Sequence, residues 1–172
     1  MTKIFEAIPI MIFIGYLRSI DTQIPENWKI PFVVSGCAAI IVIIFSLYKR
    51  NILDRIFLGF NIYFITGGFA FITHQWWLNR FYDHLHASGL LLWVIITGLT
   101  TIFVSSYGFI GVKSHDTNAI RKYSYYLLFF SMAAFVLSFI FRSNRLLSEL
   151  VPFISLFILQ GALKEKITES NT

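Results

Sequence analysis

The chain has 172 residues, 56% of them hydrophobic, 18% aromatic and 13% charged, with 14 Lys and Arg against 9 Asp and Glu. Soluble domains carry about 25% charged residues and small ones keep much of their surface wet, so this composition excludes an ordinary water-soluble globule and points to a bilayer as the solvent. The net charge of +5 does not imply nucleic acid as a partner, because the basic residues fall in short clusters between apolar runs and form no continuous basic face.

In chain order the apolar runs predict an all-α integral membrane protein, a bundle of six transmembrane helices with short loops, with five as the alternative. The spans lie near 4–20, 31–48, 56–73, 85–112, 123–141 and 146–163, within a single polytopic domain over residues 1–172. About 20 helical residues, rising ~1.5 Å each, cross a hydrocarbon core ~30 Å thick. The middle four runs meet that length, whereas Pro9 and Pro152 interrupt the first and the last. Glu6 and Pro9 also keep the first run from reading as a cleaved signal.

The second run holds the one cysteine, Cys37, which excludes an intramolecular disulfide. Its context, "VVSGCAA", is similar to a lipoprotein cleavage box, but the long apolar run follows the cysteine instead of preceding it. Cys37 therefore reads as a small residue within a helix. Ser35 with Ala39, Ala134 with Ser138, and the four-residue recurrence Gly89, Trp93, Thr97, Thr101, Ser105 mark expected helix–helix seams, and Gly59, Gly67 and Gly68 thin the third run. A substrate path along the Thr97–Thr101 stripe is the sharper alternative. Asn61 and Gln160 are the strongest polar groups expected inside spans, and one interhelical hydrogen bond would satisfy either. No Lys, Arg, Asp or Glu is expected at mid-span, which argues against a proton-coupled carrier.

The stretch "GGFAFITHQWWLNRFYDHLHASG", residues 67–89, holds three of the four histidines and two of the four tryptophans. It reads as the end of the third span, an extracytoplasmic loop and the start of the fourth, with Asp83 an N-cap or first-turn acid at that start. His84 and His86 would share a side in an extended segment, as zinc ligands can, but diverge by about 200° on a helix. With no Ser, Cys or Glu at a recognisable spacing beside His74, His84 or His86, the expectation is no metal, no cofactor and no enzyme activity. Trp76, Trp77, Tyr82 and Trp93 suit an interfacial belt, and Arg80 a lipid phosphate.

In "GVKSHDTNAIRKYS", residues 111–124, Asp116 is a helix N-cap ahead of Arg121 and Lys122, and His115 a solvated loop residue. In "RSNRLLSELVPF", residues 142–153, Ser143 or Asn144 caps, and Glu149 is placed to pair with Arg142 or Arg145. Six spans put Lys3, Lys49, Arg50, Arg55, Lys113, Arg121, Lys122, Lys164 and Lys166 on one side, against Arg18, Lys29, Arg80, Arg142 and Arg145 on the other. Nine against five predicts cytoplasmic N- and C-termini.

The opening "MTKIFEAIPIMIFIGYLRSID", with Glu6, Pro9, Arg18 and Asp21, then "YKR" at Tyr48–Arg50 and "GGFAFITH" at Gly67–His74, resembles the intracellular septation protein A family of bacterial inner-membrane proteins. The resemblance covers roughly the first 75 residues; "WWLNRFYDH" stands where a Lys-Trp-Lys run would be expected. It implies a non-enzymatic envelope protein tied to division and wall synthesis through membrane partners, and it carries over no catalytic residue. The expected partners are the lipid bilayer and other membrane proteins or further copies of the chain. A small-molecule or lipid carrier or channel, a membrane enzyme at His74, His84 and His86, and a membrane subunit of a larger complex such as a defence system are the competing readings.

Overall fold

The computed structural model describes residues 2–21, 24–114, 116–144 and 146–169. Its elements are α1 (Thr2–Glu6), α2 (Ile8–Leu17), α3 (Lys29–Tyr48), α4 (Arg55–Ile72), α5 (Trp76–Leu85), α6 (Ser88–Val104), α7 (Thr117–Ile140) and α8 (Val151–Glu169), with a 3-10 turn at Pro25–Trp28 and a π turn at Leu146–Leu150. The described residues contain no strand. By length and composition four helices among the described residues could cross a membrane: Pro25–Tyr48, Arg55–Ile72, Thr117–Ile140 and Leu146–Glu169, or five if α5 and α6 count as one broken span.

The structure departs from the expected spans at three places, each with a local cause. The first run is two short helices, divided at Ala7 just before Ile8 and Pro9, since proline fits only the first turn of a helix. The ten residues of α2 reach ~15 Å, half of a hydrocarbon core. The expected fourth span, 85–112, stops at Val104: Ser105 takes an extended backbone (φ −106, ψ 130), and Gly108 (φ 58) and Gly111 (φ 70) then take a left-handed one that a helix cannot continue through. Finally, the histidine stretch contains a helix of its own, α5, and Asp83 lies inside it instead of capping α6.

The chain forms two compact units, residues Met1–Leu53 with Phe60–His84, and residues Asp54–Gly59 with Leu85–Thr172. In the first, α3 and most of α4 run antiparallel in close contact. A Cβ built on Gly36 would lie 2.9 Å from the Phe64 carbonyl oxygen, and one on Gly68 would lie 2.9 Å from the Phe32 carbonyl oxygen. Backbones meet this closely only where no side chain intervenes, which is how helices associate where burial of apolar surface gives no advantage over lipid. Phe32 anchors the rings around this seam, 5.0 Å from Phe13, 5.4 Å from Tyr63 and 5.7 Å from Phe71.

In the second unit α6, α7 and α8 pack through small residues. Ser124, Ser131, Ala134 and Ser138 of α7 are buried, as are Gly89, Thr97 and Gly98 of α6. Asp116 caps α7 by accepting from the Asn118 and Ala119 amides at 2.9 and 3.0 Å, and Asn144 caps the next helix from Leu146 and Leu147. Pro152 has no N–H to donate to the Ser148 carbonyl one turn back. Ser138 Oγ donates to that carbonyl instead, at 2.6 Å, and so ties α7 to the start of α8.

Candidate functional site

The three histidines of the stretch occupy three different local settings. His74 follows α4 with φ 56, His84 lies near the end of α5, and His86 sits in the turn before α6 with φ 50; all three are exposed. No group of three His, Cys, Asp or Glu side chains among the described residues is placed to hold a metal ion. The His74 ring lies against that of Trp76, with ring centroids 5.8 Å apart.

What the stretch does assemble is a two-faced helix. On its inner side Tyr82 is 5% exposed, its ring 4.8 Å from that of Tyr63 and its hydroxyl 2.6 Å from Thr66 Oγ1 of α4. Asn79 turns its amide inward as well, and neither polar atom finds a partner among the described residues. On the outer side Trp76, Trp77, Arg80, Phe81, Asp83 and His84 are exposed.

Asn61 of α4 is almost wholly buried, and its Nδ2 has no hydrogen-bond partner among the described residues. Thr97 and Thr101 of α6 are 4% and 8% exposed. Thr101 donates back to the carbonyls of Thr97 and Gly98 at 2.7 and 3.2 Å, a satisfaction internal to the helix, while Thr97 Oγ1 has no partner among the described residues. Glu149 is half-buried in the π turn. Its expected partner Arg145 and the loop residue His115 lie outside the described residues, and Arg142 is exposed.

Sequence reasoning missed a polar cluster around Asp54. Asp54, within the "YKRNILDR" segment, reads from sequence as a cytoplasmic loop residue; in the structure it is 7% exposed. Its Oδ1 accepts from the Ile56 amide and from Gln160 Nε2, both at 3.0 Å, and its Oδ2 meets Lys164 Nζ at 2.7 Å. Beside it Arg55 donates to Ser105 Oγ at 3.1 Å. One carboxylate thus caps α4, satisfies the Gln160 amide and neutralises a cation on α8. The available signal was an Asp directly before an apolar helix together with Gln160 and Lys164, one turn apart on the last helix. Such a group serves as a clamp: its acceptors are taken by donors of the chain itself.

No family model, no curated protein and no solved structure matches the chain.

Proposed function

We propose that the chain is a multi-pass protein of a bacterial inner membrane, both termini cytoplasmic, that acts without catalysis by contact with other membrane proteins in envelope maintenance and division. The observation that carries the membrane part is the outward apolar surface of its long helices. Ile41, Ile44 and Leu47 of α3, Phe129 and Val136 of α7, and Ile154 and Ile158 of α8 are each more than half exposed. In water such continuous apolar patches drive association; against acyl chains they cost nothing.

The division part rests on the resemblance of residues 1–75 to the septation family. Action by contact is supported by the polar groups already described. Asp54 is engaged by internal donors, and the Thr97–Thr101 stripe is packed between helices, which favours a seam over a conduit.

In-cell crosslinking of the tagged protein, followed by mild-detergent purification and mass spectrometry, tests the reading. Enrichment of division or wall-synthesis proteins over a matched membrane-protein control is the expected outcome. Recovery of the protein alone, or only with itself, overturns it.

A further inference from the structure

We infer that the outer face of α5 is a headgroup-level binding surface for anionic phospholipid, with Arg80 as the phosphate ligand and Trp76, Trp77 and Phe81 as its anchors. The inference rests on the membrane reading above.

α4 is 18 residues long, about 27 Å at ~1.5 Å per residue, close to a hydrocarbon core. α5 begins four residues after α4 ends, so it starts where a spanning α4 leaves the acyl chains. At the opposite end, Lys49 and Arg50 precede α4 and Arg55 is its first residue.

α5 is divided into two faces. At about 100° per residue, Asp83, Trp76, Arg80, His84, Trp77 and Phe81 follow one another across roughly 160° of the circumference. All six are exposed. The opposite face, with Leu78, Asn79 and Tyr82, is turned inward and fastened by the Tyr82–Thr66 contact at 2.6 Å. The outward face is therefore not an unused core face. It places two indoles, 52% and 67% exposed, around a guanidinium, the combination that settles at the boundary of acyl chain and headgroup.

Arg80 forms no ion pair with a carboxylate among the described residues, although Asp83 stands one turn away at the edge of the same face. Arg binds phosphate through a planar fork of donors. A phosphodiester held between Trp76 and Trp77 would supply the anion, and the lipid's acyl chains would cover Phe81.

The test uses the full chain reconstituted in vesicles of phosphatidylcholine with increasing phosphatidylglycerol, in a background carrying Trp28→Phe and Trp93→Phe so that Trp76 and Trp77 report alone. Quenching by brominated forms of each lipid gives their relative association constant at the two indoles. One cationic side chain near a charged lipid surface is expected to give about a fivefold preference for phosphatidylglycerol. Arg80→Gln should bring the preference to parity, whereas Lys113→Gln, in a loop elsewhere, should leave it unchanged. A preference for phosphatidylglycerol in the Arg80→Gln protein as large as with Arg80 present, or quenching by aqueous iodide in place of either lipid, overturns the inference while the membrane reading stands. Failure of the protein to float with the vesicles overturns both.

Discussion

Asp54 and Lys164 stand 110 residues apart in sequence, yet their charged atoms are 2.7 Å apart. Asp54 also caps α4 and holds Gln160, so it joins the start of one apolar helix to the last turns of another. Breaking a buried pair from one side is costly because the survivor keeps its desolvation penalty, although the Lys164 side chain, 20% exposed, moderates this. Asp54→Ala should therefore lower stability by about 2–4 kcal/mol and Lys164→Ala by about 1–2 kcal/mol. The double variant should lose less than the sum, with a coupling of about 1 kcal/mol. Unfolding in mixed micelles with increasing SDS checks this; strictly additive losses would dissolve the pair as an energetic unit.

The Gly36–Phe64 and Gly68–Phe32 contacts give a second expectation. Each added methyl must push one helix backbone off the other, since the atom it meets at 2.9 Å is a carbonyl oxygen and cannot swing aside. Gly36→Ala and Gly68→Ala should each cost about 1–3 kcal/mol. Gly161 lies in α8 with nothing within 4 Å of a built Cβ. Gly161→Ala should be neutral or stabilising by up to about 1 kcal/mol, the helix preference of Ala over Gly. Thermal melts of the three variants in one detergent separate a tight seam from a generic dislike of alanine.

The turn between α6 and α7 gives a third. Ser124 Oγ accepts from the amides of Phe109 and Ile110 at 3.0 and 3.2 Å, and both of those residues are fully buried. Ser124→Ala would leave two buried N–H groups without an acceptor, at about 1–3 kcal/mol each before relaxation. Gly108→Ala should be at least as harmful, because its φ of 58 disfavours a side chain and the new methyl would run into Ser124. Limited proteolysis within residues 105–112 should accelerate in both variants. An unchanged cleavage rate would mean that this turn is not held by Ser124.

Much of the helical frame is legible in the residues, and the reasons are local. Asp116 ahead of an apolar run announces a cap, and it caps; Asn144 does the same at the end of α7. Ser35, Ala39, Ala134 and Ser138, expected at seams, are all buried. The failures are local as well. Residues 105–112 continue the apolar run at Phe109, Ile110 and Val112, and the left-handed Gly108 and Gly111 reveal a turn there. Trp76–Leu85 has too mixed a composition for a span, and the loop reading overlooked that its inward residues recur at helical spacing. Asp54 was illegible for a different reason: whether a carboxylate at a helix start faces water or a lysine 110 residues away depends on the packing of whole helices.

The account stands or falls on whether the long apolar helices sit in a bilayer, and Cys37 tests this directly. It is the chain's one cysteine, lies mid-way along α3 and is exposed on that helix. Thiols react with maleimides as thiolates, which form in water and not in hydrocarbon. In intact membranes Cys37 should therefore resist a water-soluble maleimide, label fully once SDS dissolves the bilayer, and contrast with a Lys113→Cys variant that labels at once. Rapid labelling of Cys37 in intact membranes, at the rate of the Lys113→Cys control, would place the middle of α3 in water and contradict the account.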